Sequence, residues 1–182
     1  LELIDPFDGR LALDEGRIQT PLEPEVTFSD DPLRIMRGIR FATKLHFEIE
    51  KNTFTAMQAT ADRLEIISQE RITEEFVKIV GSPKPSRGFR LMDQTGVLQR
   101  ILPEFVELKG IEEREGFRHK DVFYHTLKVL DNLAEVTESI PLRLAAIFHD
   151  IAKPRTKAFE QGKGWSFPVS YTHLRAHETE AY

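Results

Sequence analysis

The sequence feature that most constrains the fold and function of this chain is a predicted helix near residues 32–45. All the charged residues on its polar face are cationic. Asp31 is a good N-cap, and Pro32 suits the first helical position, where a missing backbone N–H costs nothing. At about 100° of rotation per residue, Arg34, Arg37 and Arg40 share one side and the apolar residues between them share the other. An ordinary solvated face mixes charges of both signs. The helix is therefore either a surface helix with several arginines or a cationic binding face.

The composition argues against nucleic-acid binding by bulk charge. Lys and Arg number 25 and Asp and Glu number 30, so the formal net charge is −5. Proteins that bind nucleic acid through their overall charge are usually basic. Any RNA contact must then come from local cationic patches. The chain has no cysteine, which excludes a disulfide framework and thiolate metal ligands. We find neither a signal peptide nor a long apolar run, and we expect a cytoplasmic protein.

The local patterns predict a mainly α fold with a short β segment at its beginning. Residues 1–28 read as short strands, with Leu11–Leu13 and Arg17–Thr20 forming a hairpin around Gly16. The polar stretch at 110–116 reads as a linker and a domain boundary. Apolar periodicity predicts helices at about 32–45, 50–63, 70–80 and 86–95, short helical pieces at 98–102 and 103–108, a helix ending near 135 and another starting at 141.

The amino-acid sequence of the first predicted helix resembles a motif of a known protein family. The string DDPLRIMRGIRFA at residues 30–42 resembles the nucleotide-recognition motif of bacterial-type CCA-adding tRNA nucleotidyltransferases, which belong with the poly(A) polymerases. The strings RIQTPLEP at 17–24 and SQERITEEF at 68–76 resemble the family's flanking motifs. The resemblance implies that 1–28 is the C-terminal edge of a nucleotidyltransferase head and 29–110 a helical neck that binds nucleotide and RNA.

A second resemblance lies further along the chain. The string FRHKDVFYHTL at 117–127, followed by His149 and Asp150 at the end of an apolar helix, resembles the HD superfamily of metal-dependent phosphohydrolases. It implies that His125, His149 and Asp150 hold a divalent ion, a role that imidazole and carboxylate suit. Residues 117–167 would be the N-terminal part of an all-α HD domain. Three ligands make an incomplete site, so we expect weak metal binding.

The last residues differ from the HD pattern. Residues 168–182 resemble the translation of a sequencing-library adapter, so we expect a non-native, unpacked tail. On that interpretation His173 and His177 are not metal ligands.

The CCA-adding resemblance assigns a role to each residue of the first helix. The carboxylate of Asp31 accepts the exocyclic amine of C or A, and Arg34 donates to a neighbouring ring acceptor. U and G present a carbonyl where that amine would be, and it would face the carboxylate unfavourably. Arg37 and Arg40 would hold the nucleotide and its phosphates. Arg71 is a weaker candidate that buttresses the helix.

The chemistry of the transfer needs groups that this sequence lacks. Two-metal phosphoryl transfer with Mg²⁺ requires a carboxylate pair, and we find no Asp-x-Asp, glycine-rich head motif or Arg-Arg-Asp. The resemblance places these before Leu1, so we expect a fragment that is truncated at both ends and lacks its catalytic carboxylates. Its implied partners are tRNA, CTP and ATP.

The sequence is also compatible with other functions. Within the family these are a bacterial poly(A) polymerase, which the HD segment disfavours, and an enzyme that adds only CC or only A. A different class is a free-standing HD phosphohydrolase with residues 1–110 as a regulatory module. A third is a non-catalytic RNA-binding helical module.

Overall fold

The computed structural model describes residues 4–110, 113–114, 117–118 and 121–167, and it confirms a mainly helical fold. None of the helices in these ranges is long and apolar enough to cross a membrane. The helices are α1 (Gly9–Asp14), α2 (Pro24–Asp30), α3 (Leu33–Leu45), α4 (Lys51–Thr60) with a 3₁₀ continuation (Ala61–Ile66), α5 (Gln69–Val80), α6 (Pro85–Gln94), α7 (Val97–Ile101), α8 (Pro103–Val106), α9 (Val122–Val136), α10 (Ile140–Phe148) and α11 (Lys153–Thr156).

The strands are short and form two-stranded pairs. The first pair is parallel and joins distant parts of the chain, whereas the other two are antiparallel. They are β1 (Arg17–Ile18) with β2 (Glu48–Ile49), β3 (Glu113–Arg114) with β4 (Phe117–Arg118), and β5 (Ala158–Glu160) with β6 (Gly164–Ser166).

The predicted hairpin at the start of the chain is wrong. Leu11–Leu13 lies in α1, whose first N–H groups, those of Gly9 and Arg10, donate to the carboxylate of Asp5 at 2.8 and 2.9 Å. Gly16, at φ 63°, follows the helix. Because glycine serves helix ends and hairpin turns equally well, the turn signal does not distinguish the two.

The rest of the predicted β segment is also partly helical. Residues 24–28 belong to α2, which has Pro24 at its first position. The strand predicted at Arg17–Thr20 is present as β1, but its partner is β2 and the pairing is parallel. Within the described part of residues 1–28, β1 is therefore the strand that forms, and its hydrogen-bonded partner β2 lies about thirty residues later in the chain.

The predicted start of the cationic helix is confirmed to within a residue. The carboxylate of Asp31 accepts a hydrogen bond from the backbone N–H of Leu33 at 3.2 Å. The carbonyl of Asp31 accepts from the N–H of Arg34 at 3.0 Å. Asp31 thus caps α3, whose apolar face, including Ile35 and Ile39, is fully buried.

One hydrophobic core runs through the described structure from α2 to α10. Four aromatic rings form a chain within it, with centroids 5.6, 5.2 and 5.2 Å apart: Phe76, Phe89, Phe105 and Phe123. The core therefore continues past the stretch at 110–116, where β3 lies in the predicted linker. The division into functional domains at that position stays a prediction.

Gly88 sits where α6 crosses α3 and α5, and it leaves no room for a side chain. A Cβ there would lie 2.3 Å from Cγ2 of Ile79 and 3.0 Å from Oγ1 of Thr43. At Gly38 the nearest atom is the terminal methyl of Met57, at 2.6 Å, which can move aside.

Gly88→Ala is expected to lower the free energy of unfolding by about 1–3 kcal/mol, because the core must shift to admit the methyl group. Gly38→Ala is the matched control. Both sites gain about 1 kcal/mol of helix propensity, but we expect Gly38→Ala to cost less because the Met57 methyl can move aside. Urea unfolding followed by circular dichroism measures both. Equal values for the two variants would contradict the tight crossing at Gly88.

Candidate functional site

The amino end of α3 holds Asp31 in a fixed orientation. One carboxylate oxygen caps the helix, and the other, Oδ2, lies 3.0 Å from Nη2 of Arg71 on α5. The Asp31 side chain is 27% exposed, so it remains accessible from one side. A carboxylate can accept about four hydrogen bonds, and Asp31 uses two of them here. The residue can therefore accept a further donor without giving up its cap or its ion pair.

Arg34 is held beside Asp31 by the preceding helix. Its Nη1 donates to the carbonyl of Thr27 at 3.0 Å and lies 3.9 Å from the carboxylate of Asp30. Among the described residues this half-exposed guanidinium has no further partner, so its remaining N–H groups can donate to a ligand. The turn between α2 and α3 is also gripped by Arg63, which donates to Ser29. The two residues predicted to select the base thus lie three positions apart at the turn between α2 and α3, and each is held there by its own contacts.

Arg37 and Arg40 occupy different surroundings, although both were predicted to hold the nucleotide. Arg37 is exposed, and its side chain makes no hydrogen bond or ion pair within the described part of the chain. Arg40 is largely buried, and its Nε lies 2.6 Å from Oε2 of Glu75 on α5. The same guanidinium lies 4.1 Å from the ring centroid of Phe41.

The polar face of α3 is therefore not uniformly cationic. Glu75 is 7% exposed and binds Arg40 of α3 and Lys78 of α5, so the charge of Arg40 is balanced by a carboxylate from the neighbouring helix. Burial raises the pKa of Glu75, but hydrogen bonds from Lys78 and Arg40 outweigh it and hold the pKa below the usual 4.5. The spacing of residues within α3 does not predict a counter-ion that α5 supplies.

The stability contributed by Glu75 is expected to depend on pH. Because its pKa is lower in the folded state, its contribution is present above pH 4.5 and is lost as the pH falls through the folded-state pKa. The difference in unfolding free energy between the unchanged chain and Glu75→Gln should be larger at pH 7 than below pH 4. Glu74→Gln, which removes an exposed carboxylate next to it, is the control. If the difference in unfolding free energy between the unchanged chain and Glu75→Gln were the same at both pH values, the buried ion pair would be contradicted.

The predicted metal ligands also come together, at the end of α10. Ligand atoms of His125, His149 and Asp150 all lie within 4.8 Å of one another. Nδ1 of His149 lies 2.7 Å from the carbonyl of Ala146, which fits an N–H donor there and leaves Nε2 for a ligand role. Two imidazoles and a carboxylate form a donor set that suits a divalent ion.

A lysine competes for this cluster. Nζ of Lys153 lies 2.7 Å from Oδ2 of Asp150, and Nε2 of His149 lies 3.2 Å from the same oxygen. A divalent ion bound by Asp150 would have to share or displace that ammonium. This competition supports the expectation of weak binding. The proposed ligand role of these residues, and the identity of a metal, stay predictions. The tail at 168–182, with His173 and His177, lies outside the described residues.

Two family profiles match the chain in sequence. The profile described as the probable RNA and SrmB-binding site of polymerase A matches residues 46–108, and the HD domain profile matches residues 122–182. The second match extends over the segment predicted to be a non-native tail.

Curated relatives match nearly the whole chain. The Multifunctional CCA protein of Nitrosococcus oceani is 34% identical over 174 residues, which is 94% of this chain and 41% of that protein. The Multifunctional CCA protein of Herminiimonas arsenicoxydans is 31% identical over 98% of this chain and 41% of its own length. The chain therefore spans about two fifths of the length of these relatives.

Solved structures agree with the sequence relatives. A CCA-adding enzyme of Bacillus stearothermophilus in complex with CTP is 40% identical over 52% of this chain and 24% of that chain, with a TM-score of 0.51. The match to the Thermotoga maritima CCA-adding enzyme complexed with tRNA covers 95% of this chain and 37% of the Thermotoga chain, with a TM-score of 0.61. At 22% identity the latter likeness shows the fold alone. Over most of its length the chain is thus similar to Multifunctional CCA proteins, and it matches a polymerase A-type RNA-binding profile followed by an HD domain profile.

Proposed function

We propose that this chain is part of a tRNA nucleotidyltransferase that adds C and A to the 3′ end of tRNA from CTP and ATP. In this role α3 selects the base. The observation that carries the proposal is the braced Asp31 and Arg34 pair at the amino end of α3, in a chain related to CCA-adding enzymes.

The chemistry of selection follows from the groups that remain free. Asp31 is a fixed acceptor for the exocyclic amine that C and A share, and Arg34 is a fixed donor for the adjacent ring nitrogen. Because Arg71 and Thr27 already hold these side chains, little ordering is needed when a nucleotide binds. Arg37, exposed one turn further along α3, is placed to meet phosphate oxygens.

The transfer itself would use Mg²⁺ held by carboxylates outside this chain. The 182 residues contain no Asp-x-Asp, and they match 41% of the length of the Nitrosococcus oceani protein. We assign the carboxylate pair to the remaining part of the longer protein, and we place the reaction in the cytoplasm. The part described here would contribute base choice and RNA contact to the complete enzyme.

The 182-residue chain is expected to retain CTP and ATP in preference to UTP, and to add no labelled CMP to tRNA that lacks its CCA end. Equilibrium binding of each nucleotide measures the first property, and an incorporation assay measures the second. Asp31→Ala should remove the preference, whereas Arg100→Ala, which breaks only a surface ion pair with Glu65, should leave it intact. Equal retention of all three nucleotides would contradict the base-selecting role, and incorporation would contradict the assignment of the carboxylates.

The second candidate function is that of an HD-type metal-dependent phosphohydrolase. The observation that favours it is the convergence of His125, His149 and Asp150 within 4.8 Å. It does not account for the braced Asp31 and Arg34 pair. A hydrolase would lose metal-dependent activity in His149→Ala and keep it in Asp31→Ala, which separates the two functions. A poly(A) polymerase would select ATP alone in the binding experiment, and a CC- or A-adding enzyme would incorporate only one of the two nucleotides in its complete form.

A further inference from the structure

The exposed side of α3 carries one aromatic residue among its cations. Phe41 is 38% exposed, whereas apolar residues on the other side of the helix, such as Ile35 and Ile39, are fully buried. Seven positions separate Phe41 from Arg34, so the two residues lie within roughly 20° of each other around the helix axis and roughly 10 Å apart along it. Phe41 therefore belongs to the same face as the arginine that we propose selects the base.

The ring of Phe41 rests on a rigid support. The guanidinium of Arg40 lies over the ring, 4.1 Å from its centroid, in a cation–π contact that covers one face of the ring. Nε of Arg40 is bound in turn by Oε2 of Glu75 at 2.6 Å, and both of these side chains are largely buried. Because the ion pair holds the guanidinium in place, it also fixes the ring. Arg40 thus acts on the exposed surface through Phe41, without having to touch a ligand itself.

Two exposed cations lie on either side of Phe41 along this face. Arg37 precedes it by about one turn and Lys44 follows it by about one turn. Neither side chain makes a hydrogen bond or ion pair with a residue that the structure describes. An exposed ring between cations matches a nucleic-acid strand, whose bases stack on aromatic rings while its phosphates attract the cations. The charge and the ring together favour a nucleobase over an apolar ligand.

We propose that Phe41 stacks on the 3′-terminal nucleobase of the RNA strand that is to be extended. The inference rests on the proposed function, because it takes tRNA without its CCA end as that RNA. The incoming base would be read by Asp31 and Arg34, and Phe41 lies roughly 10 Å further along α3, so it meets a second base instead of the same one.

The chemistry of the reaction agrees with a stacking contact at this place. The incoming nucleotide is joined to the 3′ end, so the terminal base of the strand has to be held near the base that Asp31 and Arg34 read. That terminal base changes from one addition to the next. Stacking tolerates such a change, because every base has a π-face and no hydrogen-bond pattern is read.

The test measures the affinity of the 182-residue chain for two tRNAs that lack the CCA end, one intact and one with an abasic 3′-terminal nucleotide. Phe41→Leu removes the ring and keeps an apolar side chain. We expect it to bind the intact RNA about fivefold to a hundredfold more weakly, which is the usual contribution of stacking one base on an aromatic ring. The abasic RNA should bind the unchanged chain and Phe41→Leu equally. Phe41→Trp keeps an aromatic ring and should bind the intact RNA at least as tightly as the unchanged chain.

Two controls separate stacking from effects on the fold. Phe148→Leu makes the same substitution at a phenylalanine of α10 that is 44% exposed, and it should leave the affinity for both RNAs unchanged. The comparison of intact with abasic RNA is made within each variant, so a loss of stability would affect both RNAs alike. CTP binding should be the same in Phe41→Leu as in the unchanged chain.

The outcomes also separate this proposal from the proposed function. If Phe41→Leu weakened binding of both RNAs equally, or of neither, the stacking role would be overturned, while the preference for CTP and ATP over UTP would still support the proposed function. Weaker CTP binding in Phe41→Leu, with RNA binding unchanged, would assign the ring to the incoming nucleotide and overturn the proposal. Failure of the unchanged chain to bind the intact RNA more tightly than the abasic RNA would overturn it as well. The absence of any nucleotide preference in the unchanged chain would instead contradict the proposed function.

Discussion

Arg143→Met is expected to lower the free energy of unfolding by about 3–5 kcal/mol, because it removes a buried hub of hydrogen bonds. Arg143 is 3% exposed. Its guanidinium donates to the carbonyls of Val80 and Ser82 at 2.9 Å, Ala134 at 3.2 Å and Thr137 at 2.8 and 3.1 Å. These carbonyls lie at or just beyond the carboxyl ends of α5 and α9.

The physical reason is that the arginine satisfies helix-end carbonyls for which no other partner lies among the residues that the structure describes. The last carbonyls of a helix lack intrahelical donors and carry the negative end of the helix dipole. Arg143 pairs with no carboxylate among the residues that the structure describes, so the carbonyls of two helix ends act as its counter-charge. Its removal leaves several buried carbonyls unpaired at once, and each costs about 1–3 kcal/mol before the structure relaxes.

The measurement is urea unfolding at pH 7, with two companion variants. Arg143→Lys keeps the charge but presents a point donor that cannot reach both helix ends, so it should recover only part of the loss. Arg100→Met removes an exposed arginine paired with Glu65 and should cost less than about 1 kcal/mol. Equal free energies of unfolding for the Arg143→Met and Arg100→Met variants would contradict the role of Arg143 as a hub of hydrogen bonds. Because α10 carries Arg143 and ends at the His149 cluster, the same contacts also set the position of that cluster.

The helices were predictable because their start and stop signals are local. The Asp31 cap, the apolar face of α3 and the glycine after α5 each act within a few residues, and the structure has all three. The hairpin around Gly16 failed because β1 finds its partner in β2, a long-range pairing that no turn residue encodes. The capping of α1 by Asp5 was visible in the sequence as an aspartate ahead of a glycine, but the same letters also fit a turn.

The candidate site was predictable residue by residue but not in its connections. Asp31, Arg34 and Arg71 each stand in a motif, whereas the ion pair between Asp31 and Arg71 requires the start of α5 to lie beside the start of α3. Glu75 lies in the same motif as Arg71, yet its role as counter-ion to Arg40 depends on the packing of two helices. The spacing of α3 predicts a phosphate ligand at Arg40, whereas in the structure its guanidinium is paired with the carboxylate of Glu75.

Asp31→Ala in the complete enzyme is expected to blur discrimination among nucleotides by about tenfold to a hundredfold, since a good bidentate base contact is worth ~1–3 kcal/mol. The carboxylate reads the amine by which C and A differ from U and G, whereas the triphosphate is common to all four. The measurement is kcat/KM for CTP, ATP and UTP. Arg40→Ala should weaken all three alike, because Arg40 bonds Glu75 and supports the helix without reading the base. Arg34→Ala should impair CTP and ATP and admit less UTP than Asp31→Ala.

The structure adds a competing explanation that the experiment must separate, because Asp31 also caps α3. Asp31→Asn is the matched variant, since asparagine is an equally good N-cap and replaces one acceptor oxygen with an N–H donor. If Asp31 reads the base, the asparagine variant should keep the fold and gain activity with UTP, whose carbonyl would then meet a donor. If Asp31 acts only as a cap, Asp31→Asn should resemble the unchanged enzyme and Asp31→Ala should lower kcat/KM for all nucleotides equally. That pair of results would remove Asp31 from base selection and leave it a structural role beside Arg71.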